Sequence, residues 1–198
     1  EDIRESKRLL EDISGQKVQM FRAPSWSITP DRYEVLRILT EEGFTVDSSL
    51  QPFATPLSGI AGSPIAPFHP QLSADEPPLD LVEFPPTVWQ KAGVTMPFSG
   101  GFYLRAVPYP LVRWALKQVN REREGMVYLH PWELDANQPR VQASPLIRLA
   151  QYYRLRSTKP KVERLLQEFT FVPLGEILEG RTFPATLLTK GVQGPRHG

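Results

Sequence analysis

A histidine that follows four hydrophobic residues and is followed at once by proline is the first place where this 198-residue chain could house chemistry. Met126-Val127-Tyr128-Leu129-His130 reads as a buried strand over 126–130 that delivers one imidazole to its carboxyl end. Pro131 stops the ladder because it has no N–H to donate. A titratable group at a strand end, beside Trp132 and Glu133, is how an α/β enzyme presents catalytic side chains. The plain alternative is a core histidine satisfied by the backbone. Two further polar residues fall at expected strand ends, Arg22 after 17–21 and Asp47 after 44–46. If the three strands are neighbours, the three groups converge. A histidine beside an aspartate is an imidazole of fixed tautomer, a general acid or base. An arginine nearby can orient a carboxylate or bind an oxyanion. Singly, Arg22 and Asp47 read equally well as a structural ion pair or a turn-capping residue.

The elements that would position these groups follow from pattern. Residues 1–14 form a surface helix with Ile3, Leu10 and Ile13 inward, ended by Ser14-Gly15. Thr29 as cap, Pro30 and Asp31 start a second helix that turns Tyr33, Leu36 and Leu39 inward and stops at Gly43. Strand, helix, strand in this order is the mark of βαβ units and a parallel sheet or barrel, in which the loops after strands carry the chemistry. Residues 50–80 are a Pro-rich excursion, within a loop region reaching to about 98, and 81–84 is a strand cut by Pro85-Pro86. Gly100 and Gly101 either admit a ligand close to the main chain or form a bulge. A helix is expected over 111–123 with Val112, Ala115, Leu116 and Val119 on one face. Another runs over 161–168 with Val162, Leu165, Leu166 and Phe169 inward. A closing strand at 169–173 and a frayed tail from Thr189 complete the chain.

Composition removes several classes of function. A net charge of +1 gives no reason to invoke nucleic acid, although 139–157 is rich in Arg and Tyr. Without cysteine there is no disulfide, thiolate nucleophile or thiolate metal site. No apolar run approaches the roughly 20 residues that span a bilayer. There is no G-x-S-x-G elbow, no Walker loop, and no H-x-x-x-H pair from which to write a complete metal site. The first residue is Glu1, inside a helical pattern, so a fragment or processed piece is expected.

Four segments carry a resemblance. Phe21-Arg22-Ala23-Pro24-Ser25-Trp26-Ser27-Ile28, Phe44-Thr45-Val46-Asp47-Ser48-Ser49-Leu50, Ser99-Gly100-Gly101-Phe102-Tyr103-Leu104 and Tyr128-Leu129-His130-Pro131-Trp132-Glu133 occur in this order. Together they resemble the polysaccharide deacetylases of the NodB-homology class, carbohydrate esterase family 4. The similarity is to the bacterial branch linked to exopolysaccharide biosynthesis and exosortase gene clusters. It extends to Arg148–Tyr153 and the Leu165-Leu166 helix, and so covers nearly the whole chain.

The resemblance implies a distorted (β/α) barrel and metal-dependent hydrolysis of N-acetyl groups on an amino-sugar polymer. It implies an Asp-His-His set holding a divalent ion, usually zinc, and a neighbouring Asp as base. On it, His130 is the general acid that protonates the leaving amine. Arg22 orients the base, Asp47 tunes the acid histidine, and Leu129 lines the pocket for the acetyl methyl. Trp26, Gly100, Gly101, Tyr103 and Trp132 are expected to meet substrate. The family's Asp-Asp pair and His-x-x-x-His ligands are not in these residues and are expected upstream of Glu1. The chain is thus expected to be the C-terminal portion of one deacetylase domain, with a family-specific extension from about 136, carrying no metal ligand of its own and inactive alone. The competing reading is a non-catalytic carbohydrate-binding or scaffold protein that keeps the fold, with Trp26, Phe102, Tyr103 and Trp132 as sugar platforms.

Overall fold

In the computed structural model, which describes residues 1–55 and 58–189, the chain folds as two units. The first is Glu1–Pro85 with the segment from Thr182, and the second is Pro86–Arg181. All but the first residue of the expected frayed tail lies outside the described residues.

The first unit begins with helix α1, Asp2–Ser14, which closes on Gly15 at φ 65°, in the left-handed region that glycine reaches without strain. Its inward face differs from expectation. Ile3 packs on the core, but Leu10 and Ile13 are 54% and 76% exposed. The face that docks is polar, one helical stripe away. Lys7 Nζ donates to the Glu42 carbonyl at 2.5 Å and sits 4.7 Å from the Phe44 ring centre, and Glu11 accepts the Val18 N–H at 2.9 Å.

Strand β1, Met20–Phe21, is followed by helix α2, Glu34–Glu41, and strand β2, Val46–Asp47. The capping signal at Thr29-Pro30 produces only a 3₁₀ turn, Pro30–Arg32, because Thr29 Oγ1 donates to the Asp31 carboxylate rather than capping the backbone. Tyr33, Leu36 and Leu39 are buried as the spacing requires, beside Ala23, Ile28, Phe44, Leu50, Phe68 and Leu81. The Pro-rich excursion contains strand β3, His69–Gln71, which pairs in parallel with Ala185–Leu187. Strand β4, Val82–Glu83, then completes a parallel sheet of order β1-β2-β4. Its register aligns Phe21, Asp47 and Glu83 in one row. The class is mixed α/β with small sheets, and no closed barrel is present among the described residues.

The second unit opens with the antiparallel hairpin of β5, Val88–Lys91, and β6, Val94–Pro97, inside the region expected to be loop. Helix α3, Gly101–Ala106, follows, so the Gly100-Gly101 pair is a helix start rather than a bulge. Helix α4, Tyr109–Val119, buries Val112, Ala115, Leu116 and Val119 as expected but ends before Arg123. Helices α5, Pro145–Tyr152, and α7, Leu174–Leu178, were not foreseen. Helix α6 runs Thr158–Glu168 and turns Lys161 inward, with Leu166 outside. Lys161 Nζ donates to the carbonyls of Leu104 and Arg105 at 2.8 Å and of Val107 at 2.6 Å, which leaves α3 with satisfied end groups. Burial lowers this amine to about 8.

Two expected strands are missing. Residues 126–130 form no strand: a single parallel bridge joins Tyr128 to Gly100, and the segment is half-buried rather than buried. Residues 169–173 are irregular, Pro173 preceding α7. No helix among the described residues is long and apolar enough to cross a membrane.

The hairpin turn holds a non-glycine residue, Ala92, at φ 50° beside Gly93 at φ 78°. Left-handed backbone costs an L-residue roughly 1–2 kcal/mol, and two-residue hairpins favour Asn-Gly or Gly-Gly there. Ala92→Gly or Ala92→Asn is expected to stabilise the second unit by about 0.5–1 kcal/mol, seen as a higher urea midpoint at unchanged slope.

Candidate functional site

The row Phe21–Asp47–Glu83 ends three parallel strands, and the residues just beyond it are stitched together by side chains. Arg22 donates from Nε to the Ser48 carbonyl at 3.0 Å and from Nη2 to Ser48 Oγ at 2.9 Å. Ser48 Oγ donates in turn to the Phe84 carbonyl at 2.7 Å. Ser49 Oγ accepts the Ala23 N–H at 2.8 Å and donates to Asp47 Oδ1 at 2.6 Å. Strands of two residues have few ladder bonds, so these serines carry the alignment that longer strands would supply. The expected neighbourhood of Arg22 and Asp47 is therefore present, mediated by Ser48-Ser49.

Glu83, which sequence reasoning passed over, is the other half of this arrangement. Asp47 and Glu83 are both wholly buried, and the register sets them side by side on neighbouring strands. Glu83 Oε1 accepts the Leu50 N–H at 3.0 Å. Burial pushes the Asp47 carboxyl up, opposed by hydrogen bonds from Glu83 and Ser49. Glu83 is pushed well above its ordinary value, by burial first and by the Asp47 charge second. The signal was available: a carboxylate between Val82 and Phe84 in an apolar strand has to find a partner.

Ser25 and Trp26, at φ 56° and 50°, are two consecutive non-glycine residues in left-handed backbone. Such residues cost of order 1–3 kcal/mol each and tend to mark functional sites. The turn they make brings the Trp26 ring centre to 5.9 Å from the Arg22 guanidinium carbon. Arg22 itself is exposed and Trp26 half-buried.

His130 lies in the second unit, exposed, at the entry to a 3₁₀ turn, Pro131–Leu134. Its ring stacks on Trp132 with centres 5.7 Å apart and planes 9° from parallel. The core-histidine reading is thereby excluded. The backbone beneath it is fixed from inside. Glu133, 1% exposed, accepts the His130 N–H on Oε2 at 2.8 Å and pairs through Oε1 with Arg105, also 1% exposed. Arg105 donates besides to the carbonyls of Tyr153 at 3.0 Å and Ala150 at 2.5 Å. From sequence Glu133 stands out only as the carboxylate beside His130, and Arg105 reads as an ordinary charged residue; their buried pairing is legible in neither.

The close approach that glycine permits at position 100 is used by the protein itself: a Cβ there would lie 2.3 Å from the Tyr128 ring. Gly101, at φ 52°, faces the hydroxyl of the same tyrosine. Tyr103 is half-buried, its ring 5.6 Å from Phe102, and burial raises its hydroxyl. Leu129 is half-buried between Tyr128 and His130. Among the described residues no three His, Asp or Glu come together as a metal ion would need.

Residues 48–179, two thirds of the chain, match a family described as a domain of unknown function (DUF3473). The chain belongs to that family. Its matched segment takes in Glu83, Gly100, Gly101, Tyr103, Arg105 and the whole His130–Glu133 turn, and it begins directly after Asp47. No curated protein and no solved structure matches the chain.

Removing one partner of a buried ion pair strands the other charge without water. Glu133→Ala is expected to cost about 3–5 kcal/mol in chemical unfolding, whereas an exposed pair such as Arg8–Asp12 should cost at most about 1 kcal/mol when broken.

Proposed function

We propose that this chain supplies the acid side of a metal-dependent polysaccharide N-deacetylase of the NodB-homology class, acting on an N-acetylated amino-sugar polymer. The observation that carries the reading is His130, whose ring is exposed while its backbone is held by a buried carboxylate. A core histidine would hide the ring, and a loop histidine would leave the backbone free. A proton donor to an external substrate needs an accessible ring on a fixed support.

Hydrolysis of an acetamide adds water to the acyl carbon and breaks the carbon–nitrogen bond, giving acetate and an amine. The amine nitrogen must gain a proton before it leaves, because an amide anion is too poor a leaving group. In this reading His130 gives that proton, and Trp132 keeps the imidazole in one orientation by stacking. Arg22, steadied by Ser48, serves the base side, and the strained turn at Ser25-Trp26 presents an aromatic face to sugar. The small parallel sheet is taken as part of a (β/α) barrel whose loops beyond the strands hold substrate. The described residues do not make a metal site, so the divalent ion, zinc in the simplest case, is assigned to ligands outside them.

Acetate release from N-acetylglucosamine oligomers is the test. The 198 residues by themselves are expected to release none, and the protein that also carries the metal ligands is expected to release it in a chelator-sensitive way. In that protein His130→Ala should lower kcat by about 100- to 10,000-fold with oligomer binding retained. Turnover near wild type would remove His130 from the role. Oligomer binding without any metal-dependent turnover would favour the carbohydrate-binding reading, with Trp132 and Trp26 as platforms.

A further inference from the structure

Two buried acids in adjacent strands pose a question that the deacetylase reading does not answer. Asp47 and Glu83 are register partners on neighbouring parallel strands, so their side chains leave the same face of the sheet. Both are wholly inaccessible to water. Asp47 Oδ1 accepts the Ser49 hydroxyl and Glu83 Oε1 the Leu50 N–H, and the Ser48 and Ser49 N–H groups also favour the charged form of Asp47, that of Ser49 the charged form of Glu83. The remaining oxygens, Asp47 Oδ2 and Glu83 Oε2, are buried and have no donor among the described residues. The register nonetheless sets the two carboxyls side by side in the same buried layer. Two like charges so placed, without water or a cation between them, would repel strongly, because nothing in the buried layer screens them. One proton between the two orphaned oxygens removes the repulsion and satisfies both atoms at once.

We propose that Asp47 and Glu83 share a single proton, and that this proton locks together the three strand ends that carry Arg22. Through Asp47 the lock reaches Ser49 and the Ala23 N–H, and through Glu83 it reaches the Leu50 N–H, so both loops beyond β1 and β2 hang on it. Glu83 is in these terms a positioning residue, and the proposal holds whether or not the protein is a deacetylase.

Other titratable groups surround the pair. Tyr33, just ahead of α2, has its hydroxyl raised by burial and then by the Glu83 charge. Arg22, at the exit of β1, bonds to Ser48. His69, on β3, has Nδ1 3.0 Å from the Leu81 carbonyl. None supplies a donor to the two orphaned oxygens.

A shared proton has a signature in stability. The unfolded acids lose their protons above about pH 4, while the folded pair keeps one. Folding therefore takes up a proton above that pH, and the pair's contribution falls as pH rises until the folded pair itself ionises. One retained proton corresponds to roughly 3–5 °C of Tm per pH unit for a chain of this size.

The test compares wild type with Glu83→Gln, in which the amide oxygen keeps the Leu50 N–H and the amide nitrogen donates to Asp47. Between about pH 5 and 8 the wild-type Tm should fall relative to the variant by about that slope. An infrared protonated-carboxyl band should be present at neutral pD in wild type and absent in Glu83→Gln. Glu83→Ala, which offers no donor, should be destabilised across the range, so rescue by glutamine separates proton sharing from mere packing. Should Glu83→Gln fail to fold, Asp47→Asn offers the mirrored donor, and the wild-type infrared band stands alone as a readout. Parallel Tm profiles for wild type and variant, or no such band, would overturn the proposal. So would a rise in wild-type but not variant Tm on adding magnesium or zinc, which would put a cation between the acids.

Discussion

Charge removed from water has to be answered by the protein, and in the second unit the charge in question is that of Arg105. A buried guanidinium left alone would cost several kcal/mol, far beyond what packing its methylenes could return. Glu133 and the carbonyls of Tyr153 and Ala150 answer it. Those partners come from three places in sequence: the turn after His130, the end of α5, and the residue that follows it. Few ladder bonds hold these segments in place, since a single bridge at Tyr128 is all the sheet pairing that the 126–130 stretch has. One buried cation thus does for irregular backbone what a ladder does for strands. His130 is fixed because Glu133 is, and Glu133 is fixed because it carries the charge that pairs with the buried Arg105.

The first unit meets the same constraint with the opposite chemistry. There the buried groups are two acids, so attraction has to come from something placed between or around them. Ser49, the Leu50 N–H and the shared proton inferred above fill that role. The common feature is a short sheet whose alignment depends on side chains. With two residues per strand, β1, β2 and β4 offer little main-chain cooperativity. The serine at position 48 links β1 to β4 across β2 by accepting from Arg22 and donating to Phe84.

How much of this could be read beforehand depends on the range of the interaction. Local rules served where the determinant was local: Gly15 ended α1, Leu36 and Leu39 faced in, and four apolar residues of α4 were buried as spaced. The order of β1, α2 and β2 also followed from pattern. Expectation failed where a distant partner decided the outcome. Lys161 displaced Leu166 from the inward face of α6 because the end of α3 needed donors, and Lys7 displaced Leu10 on α1 because the Glu42 carbonyl did. The 126–130 stretch looked like a strand from its apolar run, yet an apolar run guarantees burial of some kind and not a ladder. Of the candidate site, Arg22, Asp47 and His130 were visible as isolated polar residues at segment ends. Arg105 was not, and the inward roles of Glu83 and Glu133 were not, because a charge reads as surface until its partner is known.

On the deacetylase reading proposed above, that distinction bears on how a loss of activity should be interpreted. In that reading the exposed groups, His130 and Arg22, are open to substrate, and the buried ones, Glu83, Arg105, Glu133 and Lys161, are not. A substitution in the buried set acts by letting a loop drift, and a displacement of about 1 Å is enough to cost on the order of 100-fold in a positioned reaction. Activity alone would therefore rank Glu133 beside His130 and mistake support for chemistry. Stability separates them. Loss of His130 removes a ring stacked on Trp132 at the surface, whereas loss of Glu133 unpairs a buried guanidinium. The residue whose removal abolishes turnover while leaving unfolding nearly unchanged is the one that touches the reacting atoms.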